Sequence, residues 1–443
     1  MRLAPLAIAL LFLAAPPKLP DGVKPLPRKS AEHLGELLRR AEEYRGLKAL
    51  RPVAAGTVDS RRLKEKVTVS IAEDYTPEEL KSLETSLKAF GLVPESLDLR
   101  RYLPELLSSQ VAGFYDPERK YLALVRPGKE MPAGADDTVL VHELTHALQD
   151  QHFDLHRFES RDPMSDAQTA LTALVEGDAT LVMLDFQMGG RAEALPGTEE
   201  AMARIMAEPE KLIAASPDFP GAREIAAAPA WLRDTLLFSY FQGSAFCVSA
   251  RRRGGQTLLD YAYTTDPPRS TEQILHPEKW HTRRDDPVGL RMPDLGGELP
   301  GYRKAAEGVM GELSLRILLR EGLREGLKTG AGGAAAGWGG DRFAVYEREG
   351  GRLVAWVSEW DTEADAGEFR SALAGLEGWR VEAAGPRRVV ALRGTLAPER
   401  WEAVRARLAG ADAAQPANKE IDLQAIGAAP AGPKAGIIQT PDV

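Results

Sequence analysis

Most of the chain has its apolar residues spaced three or four apart, which is the period of a helix. Residues 30–51 have that spacing with many charges, and 74–92 reads as an amphipathic helix. Thr76 can cap this second helix, Pro77 suits its first turn, and Glu78 and Glu79 favour its positive end. Between them, Lys66-Val67-Thr68-Val69-Ser70-Ile71 alternates polar and apolar residues and predicts a strand. Two strand-like runs, Gln110 to Tyr115 and Lys120 to Val125, flank Asp116-Pro117-Glu118-Arg119 and predict a β-hairpin. Asp136, Asp137 and Thr138 then offer caps for a helix from Val139 to about Gln151, which has Leu140, Leu144, Ala147 and Leu148 to bury. Ser165 can cap a longer helix, Asp166 to about Met188, stopped by Gly189-Gly190. Helical and loop segments, including Trp231–Arg251 and Thr257–Ala262, continue to about Leu299.

Beyond residue 300 the pattern changes. A helix over 308–322 and a Gly/Ala-rich loop over 330–340 lead into a hairpin, Phe343–Arg348 and Arg352–Glu359, across Glu349-Gly350-Gly351. A helix from Asp361 or Thr362 to about Leu376, strands Arg380–Ala384 and Arg388–Arg393, and a helix Ala397–Leu408 complete a small α+β unit. The glycine run lacks the Gly-Lys-Ser/Thr of a phosphate-binding loop. The tail 411–443 is rich in Ala, Pro and Gly and reads as disordered. The predicted class is α+β: a mainly helical domain over 30–299 with a small sheet and an edge hairpin, then a C-terminal α+β domain over 300–410.

The N-terminus changes the picture of where the protein works. Met1-Arg2, an apolar run Leu3–Ala15 and Pro16-Pro17 form the pattern of a signal peptide, 1–17, followed by a proline-rich linker, 18–29. The run is too short to span a bilayer comfortably, and no later segment is apolar enough, so no stable membrane span is expected. The protein is expected to be exported, to the periplasm or outside the cell. A net charge of −9 argues against nucleic acid as a partner, because phosphate binding needs a basic face. The one cysteine, Cys247, excludes an intrachain disulfide and sits in an apolar stretch that reads as core.

The candidate chemistry lies in His142-Glu143-Leu144-Thr145-His146, in a chain with 7 histidines. Four residues turn a helix by about 400°, so both imidazoles project from one face and can hold one Zn²⁺. Glu143 is about 100° around the helix, beside the metal, where it can act as general base. Zinc needs a third protein ligand and leaves one position for water. His152 has the spacing that metzincins use, but they turn the chain at a glycine where this sequence has Gln149, a good helix former. With the helix continuing, His152 would point about 240° away from His146. The other candidate is Glu176, on the second long helix, in Leu174-Val175-Glu176-Gly177-Asp178-Ala179.

At these residues the sequence resembles the gluzincin metallopeptidases. His-Glu-Leu-Thr-His-Ala-Leu-Gln-Asp over 142–150 is similar to the matching helix of thermolysin, and Val175–Ala179 looks like their Glu-Gly-x-Ala element. The resemblance covers about 110–190. Elsewhere the chain resembles a family of exported bacterial metallopeptidases with no established substrate, in Val111–Asp116, Ser270–Pro277 and Gly337–Arg342. It implies one zinc per chain held by His142, His146 and Glu176, and hydrolysis of peptide or protein substrates. It also implies an oxyanion donor, for which Tyr240 and His276 are the candidates, and an edge strand that binds extended substrate, expected to be the strand ending at Val125. Thermolysin-like enzymes place an Asp four residues after the glutamate ligand to hold one histidine; here that residue is Thr180, and Asp150 and Asp178 are the candidate substitutes. The alternative is a non-catalytic exported zinc-binding or scaffolding protein. The C-terminal unit, which carries no catalytic cluster, is expected to dock substrate or to pack.

Overall fold

The computed structural model describes residues 19–109, 113–126, 135–158, 162, 164–207, 221–323 and 330–427. The expected signal segment 1–17 lies outside the described residues, as do Gln110–Ala112 of the first hairpin strand and 428–443 of the tail. The fold is α+β, with sheets of four, five and two strands among the described residues. No described helix is long and apolar enough to cross a membrane.

The first sheet contains β1 (Lys24–Pro25), β2 (Ala54–Asp59), β3 (Gly113–Asp116) and β4 (Tyr121–Arg126) in the order β1-β2-β4-β3. β2 and β4 are parallel; the other pairs are antiparallel. Three expectations change here. Lys24–Pro25, expected within a linker, adds to the sheet opposite Gly56 and Thr57, and Val23 beside it is buried. Gly56 permits this, since a Cβ there would lie 2.5 Å from Val23 and 2.6 Å from the Lys24 carbonyl. A proline is tolerated because the strand is at an edge.

The expected strand at 66–71 is part of helix α2 (Ser60–Asp74). Alternation would put Val67, Val69 and Ile71 on one face. The helix instead aligns buried Leu63 and Ile71 with half-buried Val67, and leaves Val69 49% exposed. Finally, β4 is internal, because β2 takes its other side. The edge next to the histidine helix is β3.

α2 and α5 (Ala135–Phe153) pack on this sheet. α1 (Arg28–Arg45) and α6 (Asp166–Met188) pack with α5, and a long helix, Ala230–Thr264, packs along α6. α3 (Pro77–Phe90) and α4 (Leu99–Ser108) pack together, α4 also against α2 and α3 against the C-terminal sheet. α3 starts with Thr76 and Glu79 in a reciprocal capping box. The long helix joins the two helices expected over 231–262, with non-helical backbone at Gly254-Gly255 between them.

The C-terminal sheet is antiparallel, in the spatial order Arg303–Gly308, Trp338–Arg348, Gly351–Trp360, Arg388–Arg393, Trp379–Ala383. Its residues alternate between two cores. Tyr346, Leu353, Val357 and Leu392 pack with Trp401 and Leu408 of helix Pro398–Ala409. Phe343, Val345 and Trp356 join the main core, with Phe343 and Trp356 edge-on to Phe90 at 4.8 and 5.3 Å. The expected disordered tail is ordered through 427. Ala413–Ala414 pairs with Gly289–Leu290, and Asn418 accepts the Asp286 amide.

Asp166, the first residue of α6, ties this unit to the rest. It accepts the Thr271 amide and hydroxyl, and the Thr271 hydroxyl accepts the Leu313 amide. Burial raises the Asp166 carboxyl to about 7, helped by Asp341 and Glu312 and opposed by the Thr271 bonds. A carboxyl that holds its proton more tightly when folded makes the native state less stable as pH rises from about 4 to about 7. We therefore expect Asp166→Asn to flatten the pH dependence of urea unfolding across that window. A slope equal to that of the wild type would exclude Asp166 as its source.

Candidate metal centre

α5 runs unbroken through Gln149 to Phe153, buried in the core on Val141, Leu144 and Leu148. His142 and His146 therefore share a face, with their Nε2 atoms 3.0 Å apart. α6 packs against α5 and brings Glu176 Oε2 to 3.2 Å from His142 Nε2 and 3.4 Å from His146 Nε2. Donors at about 2.0–2.1 Å from one tetrahedral ion are separated by about 3.3 Å, and the three separations here lie close to that spacing. Both histidines are buried, whereas the Glu176 side chain is 25% exposed, so the group opens towards solvent on the glutamate side. His152, the other candidate ligand, lies outside the group: its Nε2 is 2.7 Å from the Lys48 carbonyl.

The charges within the group are strongly coupled. Burial would lower the proton affinity of His146, but the Glu176 carboxylate outweighs it and lifts His146 to about 9. Burial would raise Glu176; His146 and His142 overcome that and hold it well below the carboxylate range. Burial raises Glu143, against the pull of the two histidines. The Glu176 charge and then burial push the Tyr240 phenol far up, so it stays protonated.

Glycines set the approach of α6 to the long helix. A Cβ on Gly177 would lie 2.1 Å from the Gly243 carbonyl carbon, and one on Gly243 would lie 2.0 Å from the Ala173 carbonyl oxygen. This contact is one residue from Glu176 and one turn from Tyr240, whose ring lies 6.0 Å from that of His142. The other candidate donor, His276, is placed against Glu312 and Arg316, with Nε2 3.1 Å from Glu312 Oε1.

Two residues were missed in the sequence. Gln149 Oε1 lies 2.8 Å from His146 Nδ1, three residues on and therefore adjacent on the helix surface, a spacing that could have revealed it. Its Nε2 donates to Asp178 Oδ2 at 2.9 Å, and the same oxygen accepts from Arg45 Nε and the Tyr263 hydroxyl. Neither expected substitute touches the histidines in these bonds. Asp178 acts through Gln149, and Asp150 instead accepts the Tyr115 hydroxyl and Lys120 Nζ. Tyr115 is the second missed residue. Its amide, on edge strand β3, donates to Glu143 Oε2 at 2.7 Å, a contact no sequence periodicity signals.

A second group of acids, Glu272, Asp285 and Asp361, already encloses a cation: Lys279 Nζ lies 2.7, 2.9 and 2.6 Å from them. Cys247 is buried, as expected from its apolar neighbours.

Gly243→Ala is expected to destabilise the protein by about 1–3 kcal/mol, measured by chemical denaturation, because backbone rather than a flexible side chain occupies the space. A neutral effect would mean that the crossing can open at little cost. Among known families, residues 299–413 match one described as a domain of unknown function (DUF8575), over the C-terminal sheet and its helices. No curated protein and no solved structure matches the chain.

Proposed function

We propose that the chain is a gluzincin-type zinc peptidase acting on peptides or proteins outside the cytoplasm. One observation carries the reading: three donor atoms, two imidazole nitrogens and a carboxylate oxygen, converge at the edge lengths of a zinc tetrahedron, with Glu143 beside them. The group has three members among the described residues and opens to solvent, which suits a site that keeps a position for water. A purely structural site would have no use for Glu143. Export rests on the apolar run Leu3–Ala15 behind Arg2.

His142, His146 and Glu176 would hold the ion. Zinc, when bound, supplies Lewis acidity that lowers the pKa of water to near neutrality and polarises the substrate carbonyl. Glu143 takes a proton from the attacking water as its oxygen bonds to the carbonyl carbon. As the C–N bond breaks, Glu143 passes that proton to the leaving nitrogen. Tyr240, held protonated beside His142, is the better placed donor for the developing oxyanion, since His276 is engaged by Glu312 and Arg316. An extended peptide adding to the β3 edge would run past Glu143.

Purified full-length protein should bind one zinc per chain, and Glu176→Ala should lose most of it. Glu143→Gln should keep the metal while peptide hydrolysis falls by about 10²–10⁴. A wild type that takes up no zinc when it is supplied, or a Glu143→Gln variant with full activity, would sink this reading.

A further inference from the structure

The orientation of the Gln149 amide is fixed by its surroundings. On its nitrogen side lie three oxygens: Asp178 Oδ2 at 2.9 Å, the Tyr263 hydroxyl at 3.0 Å and the Val175 carbonyl at 3.1 Å. Turning the amide over would set its oxygen against a carboxylate and a carbonyl, neither of which can donate. Oε1 must therefore face His146 Nδ1. An amide oxygen accepts only, so in the neutral ring that a metal would bind Nδ1 carries the proton and the Nε2 lone pair faces His142 and Glu176.

We propose that Gln149 is the positioning residue for His146, and that the buried Asp178 carboxylate selects the histidine tautomer through it. The inference rests on reading the three-residue group as a metal centre. It explains a neutral amide where a carboxylate is a usual partner of a ligand histidine. A glutamate at 149 would set one oxygen on Nδ1 but aim the other at Asp178, where no proton is available. Asp178 cannot simply lose its charge either, because it pairs with Arg45 and both side chains are 0% exposed.

The test is zinc affinity of the full-length chain by chelator competition, with circular dichroism and thermal unfolding of each metal-free protein alongside. Gln149→Ala should weaken zinc binding by about 10–100-fold, the usual effect of losing a residue behind a ligand. Gln149→Glu should weaken it at least as much, because its second oxygen would face the Asp178 carboxylate. If Gln149→Ala does not fold, Gln149→Met, which keeps the volume without the polar atoms, takes its place in the comparison. Wild-type zinc affinity in the alanine or methionine variant would overturn the proposal. So would a Gln149→Glu variant that folds like the wild type and binds zinc with wild-type affinity. A wild type that binds no zinc would overturn the metal centre itself, a result distinct from either.

Discussion

The arrangement around the candidate centre depends on one buried charge. Asp178 has no exposed side-chain surface, and an unpaired carboxylate there would cost several kcal/mol. Its compensation comes from three other elements: Arg45 at the end of α1, Gln149 on α5 and Tyr263 on the long helix. Arg45 is itself paired with Asp260 and lies near the Phe153 and Tyr263 rings. Apolar packing alone would let these helices slide against each other at small cost. A carboxylate whose partners are spread over three helices allows only one docking, and that docking sets Gln149 behind His146.

The glycine crossing sets the second dimension. Gly177 and Gly243 let α6 and the long helix approach at backbone distance, so Glu176 and Tyr240 reach the histidines from adjoining helices. The hairpin closes the third side, with the Tyr115 amide on Glu143 and the Tyr115 hydroxyl and Lys120 on Asp150. These elements, far apart in sequence, bury Glu143, His146 and Glu176 against one another, and that burial and those charges move their proton affinities from ordinary values.

The C-terminal sheet shares this framework. One face of it continues the main core through Phe90, Phe343 and Trp356, and Asp341 gathers the amides of Met310 and Gly311 with the indoles of Trp338 and Trp356. Asp166 and Thr271 then connect that corner to the start of α6, the helix that carries Glu176. Packing is therefore a role of this unit that the contacts themselves establish.

Local chemistry made much of this legible in the sequence. The Thr76 capping box, the Asp116 turn, the helix stop at Gly189 and four of the five strands of the C-terminal sheet follow from short-range rules that hold in any fold, whereas Arg303–Gly308 carried no strand signal. The spacing of His142 and His146 fixes their shared face for the same reason, with Glu143 beside it. Residues 66–71 misled because a six-residue alternation fits both periods, and only neighbours decide which apolar positions are covered. Residues 24–25 and 54–59 gave no strand signal because pairing partners distant in sequence make them strands. By itself, then, the sequence determined the helices that carry the site, the hairpin and the two-histidine motif, all set by contacts within a few residues. Only the tertiary structure decided that Glu176 meets the histidines, that Gln149 orients His146, and that β3 is the edge, because each depends on long-range packing and on where a buried charge finds its partners.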